Sequence, residues 1–240
     1  MPNKLNKYII AIGGGDVGKG QTLAIDQEIV KLTKKSRPKL LFIPTASSDD
    51  ANYIQAMKKT YGKKLRCQID TLLLIKEKPS IKTIEEKISS ADIIYVGGGN
   101  TLMMMKLWRK LGIDKMLKSA YNKGTIMCGI SAGAICWYEY GHSDSMSFYN
   151  PKKWKYICVK GLGLIKGTVC PHYDGQTGTK KRKNDFQNMI KKIGGLGIGI
   201  ENCCAIKFTN NAAEIIKSKS SAKAFQIYKQ NKKILVKGIV

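Results

Sequence analysis

Short apolar runs alternate with amphipathic stretches along most of the chain. The runs are Tyr8–Ile12, Lys39–Ile43, Gln68–Leu74, Ile93–Val96, Thr125–Ile130, Gly197–Ile200 and Ala205–Phe208. Each is rich in Ile, Val or Leu and ends at Gly, Pro or polar turn residues, as buried strands do. Helical spacing of apolar positions fills the intervals Gly20–Lys34, Ala51–Tyr61, Ile81–Ser89, Thr101–Tyr121 and Lys181–Lys192. Strands alternating with helices predict an α/β fold, a mostly parallel sheet with helices on both faces. Ala213–Val240 reads differently, as strands joined by Lys-Gln-Asn-Lys turns, and predicts a small antiparallel extension. Gly141–Lys155 and Asp174–Lys183 read as polar loops, placed where the rim of an active site would stand. No internal repeat or low-complexity linker interrupts the pattern, so residues 1–240 are expected to form a single α/β domain.

Composition narrows the class. Hydrophobic residues make up 43% of the chain, enough for a sizeable core. The first apolar run stops at glycines, too short for a signal-peptide core or a membrane span, and no other run approaches spanning length. A soluble, cytoplasmic protein with no membrane partner is expected. The net charge of +25 raises the possibility of nucleic acid. Against it, only Arg37, Arg66, Arg109 and Arg182 are arginines, and the remaining cations are lysines in a chain also rich in Ile and Asn. Arginine is the preferred reader of phosphates and base edges, so no specific nucleic-acid partner is expected. The cysteines number 7, an odd count without a Cys-x-x-Cys pair, and adjacent Cys203 and Cys204 are poorly placed for a disulfide. They read as reduced, mostly buried thiols. With 2 histidines and no ligand spacing, no metal or cofactor is expected.

One glycine-rich motif misleads. Gly13-Gly14-Gly15-Asp16-Val17-Gly18 follows the first strand and matches a dinucleotide fingerprint, and Gly13 to Lys19 nearly matches a phosphate-binding loop. The phosphate loop needs Ser or Thr after its lysine, where this chain has Gly20. The dinucleotide fold needs an acid after the second strand, which here ends Phe42-Ile43-Pro44-Thr45-Ala46. The plain reading is a flexible glycine turn. Met103–Met105, Trp108 and Trp137 read as core packing.

The segment that carries chemistry is Thr125–Ala134. An apolar strand runs into Gly129-Ile130-Ser131-Ala132-Gly133, and a helical pattern follows. Gly-x-Ser-x-Gly in that setting is a nucleophile elbow, in which the serine sits on a tight, strained turn and projects above the sheet. The flanking glycines let neighbouring chain approach. The Ala132 amide and the helix dipole are then placed to stabilise an oxyanion. A second cluster, Gly97-Gly98-Gly99-Asn100-Thr101, also lies at a strand end before a helix and is a candidate for the other half of an oxyanion hole.

A nucleophilic serine needs a base. His142 follows Ser131 closely, past the predicted elbow helix, and is poorly placed to fold back. His172, in Cys170-Pro171-His172-Tyr173-Asp174 after the apolar Gly161–Val169 segment, belongs on a loop at a strand end. The group that orients the imidazole is read as Glu201, an acid directly after the strand Gly197–Ile200, with Asp144 and Asp174 as rivals.

The segments Tyr95–Thr101, Gly129–Ala134, Pro171-His172-Tyr173 and Gly199-Ile200-Glu201 resemble the peptidase E family of serine peptidases, which includes aspartyl dipeptidases and cyanophycinases. The opening Ile10–Gly15 and the strand end Ile43–Ala46 fit as well, so the resemblance covers about residues 8–210. It implies a three-layer fold like that of class I glutamine amidotransferases. It also implies a Ser131-His172-Glu201 triad, oxyanion and substrate-binding groups at Gly98, Gly99, Asn100 and Ala132, and no metal or cofactor. One departure stands out. No arginine matches the one that would grip an N-terminal aspartate, Arg182 being the nearest candidate. The reaction implied is hydrolysis of a peptide or isopeptide bond through an acyl-enzyme, with a small peptide as partner and the chain acting as a monomer or homodimer. A non-peptide amidase or esterase, or a non-catalytic amidotransferase-like binding protein, are the rival readings.

Overall fold

A computed structural model describes residues 6–177, 179–210, 212–231 and 233–239. The N-terminal residues 1–5, and Lys232 and Val240 of the expected extension, lie outside the described residues.

The first half follows the alternating pattern: β1 (Tyr8–Ile12), α1 (Leu23–Lys31), β2 (Lys39–Ile43), α2 (Ala51–Met57), β3 (Gln68–Thr71), α3 (Ile81–Ser90), β4 (Ile93–Val96), α4 (Thr101–Leu111), α5 (Ile113–Asn122) and β5 (Ile126–Ile130). After the short α6 (Ala132–Ile135) the chain turns mostly to strands. These are β6 (Tyr138–Ser143), β7 (Ile157–Lys160), β8 (Ile165–Cys170), β9 (Gln176–Thr177) and β10 (Lys180–Lys181). Then come α7 (Arg182–Ile193), β11 (Gly197–Ile200), β12 (Cys204–Thr209), β13 (Ala212–Lys217), β14 (Ala224–Gln230) and β15 (Lys233–Ile239).

The strands form two large sheets. The first has the order β13-β12-β1-β5-β4-β2-β3, and β1 to β5 within it are parallel. Its central strands are buried along their whole length and alternate faces with period two. Ile9, Ala11, Leu41, Ile43, Ile94 and Val96 face one cluster; Ile10, Ile12, Leu40, Phe42, Ile93 and Tyr95 face the other. The second cluster is closed by α1 and α2 through Ile25, Ile29, Ile54 and Met57. The first is closed by α4 and α5, with Trp108 and Leu117, and by the second sheet through Val169, Ile198 and Ala224. Helices thus cover the parallel sheet as the pattern predicts. Each fully buried aliphatic side chain is worth about 1.5–3 kcal/mol, and a one-residue slip would turn a whole strand inside out, so the register is strongly fixed.

The second sheet, β15-β14-β11-β8-β6-β7, is the part the pattern did not separate. Gly197–Ile200 belongs to it, parallel to β8, rather than to the first sheet. The segment read as a polar loop from Gly141 begins inside β6, and β7 was not foreseen. Asp174–Lys183 contains the small β9–β10 hairpin. The single helix expected over Thr101–Tyr121 is broken at Gly112, whose φ of 71° ends α4 in a left-handed cap and starts α5. The expected antiparallel extension divides between the sheets. β13 pairs with β12 in the first, and the β14–β15 hairpin joins the second. Among the described residues, no helix is long and apolar enough to cross a membrane.

Candidate active site

The nucleophile elbow forms as its composition dictates. β5 ends at Ile130, and Ser131 adopts φ 57° and ψ −112°, a backbone that non-glycine residues rarely occupy. The Ser131 amide donates to the Ile12 carbonyl at 3.0 Å, tying the elbow to the end of β1. Gly129 and Gly133 allow the tight turn: a Cβ on Gly129 would overlap the Gly133 carbonyl, and one on Gly133 would overlap the Val96 carbonyl. The helix that follows is shorter than expected, 4 residues, so its dipole contributes little. What it does present is the Ala132 amide, which as the first helical residue has no intrahelical acceptor.

The Gly97–Thr101 cluster divides its roles. Gly98 faces the serine, and a Cβ there would lie 3.2 Å from Ser131 Cβ and 3.7 Å from Oγ. The Gly98 amide donates to the Tyr53 hydroxyl oxygen, which lowers that phenol's pKa, while burial, the larger effect, pushes it well up. Gly99, at φ 135°, is packed against the Ala46 carbonyl. Asn100 is buried and caps α4 by accepting from the Met103 amide at 3.1 Å. Its side-chain oxygen is thus engaged in capping the helix.

His172 reaches the same place from the second sheet. β8 ends at Cys170, and the His172 amide donates to the Gly13 carbonyl at 3.0 Å, holding the residue at φ 49°. Its Nδ1 lies 2.7 Å from Asn202 Oδ1. Asn202 is itself anchored, since its side-chain Nδ2 and its backbone amide both donate to Asp174 Oδ1 at 2.9 Å. A carboxylate only accepts, so it turns the amide nitrogen of Asn202 toward Asp174 and the oxygen toward the imidazole. The proton then sits on Nδ1 and leaves Nε2 unprotonated. Burial lowers the His172 pKa, with Arg182 adding to the effect and the Asn202 hydrogen bond opposing it.

Glu201 does not take the place the sequence assigned to it. Its carboxylate accepts from the Lys223 amide at 2.8 Å, and it makes no hydrogen bond to His172. Successive side chains beyond a strand end point to opposite sides, so a one-residue offset hands the position to Asn202. Asp174 stands behind Asn202, while Asp144 pairs with Arg182 and accepts from Thr177 at 3.0 Å. His142 is excluded as a base, for a reason other than chain distance. It is fully buried in β6, stacked on Tyr156 at 4.1 Å, and bonded through Nε2 to Asp185 at 2.9 Å. Burial pushes its pKa down to about 4. Cys128, three positions before Ser131, is buried with its thiol 3.4 Å from the Ile94 carbonyl, and burial raises its pKa well above the ordinary value.

The glycine turn after β1 has a role that motif matching did not show. A Cβ on Gly14 would overlap both Asn202 Oδ1 and His172 Nδ1, and one on Gly13 would overlap the Glu201 carbonyl. The triple glycine is the space in which the imidazole and the amide meet. Asn202 and Gly14 are thus the site residues that sequence reasoning missed. The available signals were an amide next to the expected acid and a glycine run longer than a turn requires.

Ser131, His172, Asn202 and Gly98 line one cavity of about 640 Å³, which the Asp16–Gly18 loop and α2 also line. The described residues hold no cluster of His, Cys, Asp and Glu suited to a metal ion. The arrangement offers a hydroxyl, a neutral imidazole with a fixed tautomer, and backbone amides beside the hydroxyl.

Known proteins resemble this chain in sequence and fold. The model of peptidase family S51 matches residues 9–216, which include the elbow, His172 and Asn202. The chain is 36% identical over 224 residues to "Uncharacterized peptidase YgaJ" of Bacillus subtilis (strain 168), covering 92% of each chain. It is 23% identical over 225 residues to "Peptidase E" of Nostoc sp., covering 89% of this chain and 87% of that one. In fold it resembles the crystal structure of a peptidase from an acI-B1 Actinobacterium, with a TM-score of 0.70, 15% identity and 97% of each chain covered. With the match spanning both sheets and the elbow serine between them, this chain belongs to peptidase family S51 and is a serine-type peptidase.

Proposed function

We propose that Ser131 is the nucleophile, His172 the general base, and Asn202, held by Asp174, the group that orients the imidazole in hydrolysis of a small peptide. The observation that carries this reading is the 2.7 Å contact between His172 Nδ1 and Asn202 Oδ1, in a space that Gly14 leaves open. With Nδ1 protonated, Nε2 is the atom that accepts the Ser131 proton as Oγ attacks the scissile carbonyl. Charge develops on the carbonyl oxygen, and the amide of Ala132 is its donor, joined by that of Gly98 when the oxyanion replaces the Tyr53 oxygen as its acceptor. The imidazolium then protonates the leaving amine. Water, deprotonated by the same nitrogen, releases the acyl group from Ser131.

An amide in the orienting position changes the energetics. A carboxylate fixes the tautomer and also stabilises the imidazolium by charge; asparagine supplies only the tautomer and the orientation. The Asp174 carboxylate, one side chain further out, supplies the charge at longer range. The test is labelling with a fluorophosphonate, followed by peptide mapping and hydrolysis of a dipeptide panel. Covalent modification of Ser131, lost in Ser131→Ala together with hydrolysis, is expected. Labelling at another residue, or hydrolysis undiminished in Ser131→Ala, would overturn the assignment.

A further inference from the structure

The cavity over Ser131 has a charge pattern that the catalytic groups do not explain. Among the described residues that line it, Asp16 is the one fixed charge, and no lysine or arginine is among them. That is unexpected in a chain of net charge +25 with 42 lysines and arginines. The remaining polar lining is uncharged: Gln21, Asn52, Tyr53 and Asn202, besides the serine and the neutral imidazole.

The Asp16 carboxylate is held in place at the cavity wall. Its Oδ1 accepts from the Lys19 amide at 3.1 Å, and its own amide donates to Gln21 Oε1 at 2.9 Å. Its other oxygen, Oδ2, has only the Lys19 ammonium nearby, at 3.8 Å, with the two side chains 76% and 47% exposed. An exposed pair of that length contributes little, so a better-placed cation displaces it readily.

The arginine nearest the site is already committed elsewhere. Arg182 is 5% exposed, ion-paired with Asp144, donates to Thr177 at 3.1 Å, and lies 5.3 Å from the Tyr156 ring centroid. Its charge reaches His172 through space, but its donors are directed at Asp144 and Thr177. A substrate carboxylate entering the cavity would therefore meet a fixed negative charge at Asp16 and no free guanidinium. A substrate ammonium would meet a carboxylate oxygen with spare lone pairs. Surface lysines beyond a Debye length of about 8 Å are screened at physiological salt, and Lys19, the cation within that range, is a weakly held exposed partner that a substrate ammonium displaces, so the Asp16 carboxylate sets the preference.

We infer that Asp16 is a specificity-determining residue of the cavity and that it selects substrates bearing an ammonium group rather than an acidic one. This rests on Ser131 being the nucleophile. The ammonium has two sources, the free N-terminus of a peptide and a lysine side chain. One test separates them and separates this inference from the assignment of the nucleophile.

Purified wild-type protein and Asp16→Asn are given matched pairs of alanine p-nitroanilides, unblocked and N-acetylated, and of N-acetylated lysine and norleucine p-nitroanilides. Wild type is expected to favour the cationic member of one pair by about 10-fold in kcat/KM, through KM, the scale of one hydrogen bond to a charged group. In Asp16→Asn that ratio should collapse toward unity. The pair that responds identifies the source of the ammonium. Where none of these anilides is turned over, the same four compounds are scored as their amides for protection of Ser131 from fluorophosphonate, with the same expected ratio. A neutral preference in wild type, or a cationic preference unchanged in Asp16→Asn, overturns the inference. Loss of Ser131 labelling in wild type would instead overturn the nucleophile assignment.

Discussion

The two sheets contribute to one site in different ways. The parallel sheet supplies the proposed nucleophile through a local device: a buried strand, a strained turn and glycines that accept close contact, all within Gly129–Gly133. The mixed sheet supplies the proposed base and its orienting group through a non-local one. His172 leaves β8, Asn202 leaves β11, and the two meet only because those strands are parallel neighbours and Gly14 of the other sheet makes room. A device built within a few residues is specified by their identity. A device built between strands is specified by register and by space, and it is correspondingly easy to displace.

Substitutions test that difference, and the largest effect belongs to the local device. Ser131→Ala should lower kcat/KM by about 10³-fold or more while circular dichroism and melting stay near wild type. Unfolding of that variant would mean that the elbow serine is needed for the fold. Next comes the space between the sheets. Gly14→Ala inserts a methyl group where Asn202 Oδ1 and His172 Nδ1 now lie, and should approach the same loss with Ser131 intact. It should also destabilise the protein by about 1–3 kcal/mol, the usual cost of overpacking, read from urea midpoints. Near-normal hydrolysis by Gly14→Ala would show that the imidazole and amide do not need this arrangement.

The third effect separates neighbours in sequence. Asn202→Ala should cost about 10²-fold in kcat with little change in KM, because it removes orientation and not binding. Glu201→Gln should stay within about threefold of wild type, since its carboxylate serves the Lys223 amide. The reverse ranking would restore Glu201 as the orienting group. The smallest effect is a displacement along the pH axis. Burial holds the His172 pKa below its ordinary value of 6.5, and the proposed mechanism needs the neutral form. Activity should therefore persist below the pH at which an ordinary histidine becomes protonated. Asn202→Asp places a carboxylate against the imidazole, favours the cation, and should move the acid limb of kcat/KM to higher pH. A limb that stays put would place the titrating group elsewhere.

The family resemblance was legible because its strongest motif is local. The glycines at 129 and 133 and the serine between them announce a turn that only one kind of backbone can make. The parallel strands were legible for a related reason: full burial on both faces leaves near-continuous apolar runs. The second sheet was harder to see because several of its strands are half-exposed and carry mixed residues, as in β7 and β14, whereas the fully buried β11 was legible as a strand. Its strand β6 begins with tyrosines and a glutamate and ends in the polar stretch that reads as a loop.

By itself, then, the sequence determined the layered α/β class, the elbow and Ser131, and the histidine that could serve it, because each depends on a few consecutive residues. Tertiary structure alone decided that Asn202 and not Glu201 faces His172, that Asp174 fixes that amide, and that Arg182 is committed to Asp144. Those outcomes depend on which side of a strand end a side chain leaves, and on distances of about 3 Å between segments far apart in the chain. Neighbouring residues in the sequence do not encode such distances; the packing of one sheet against the other does.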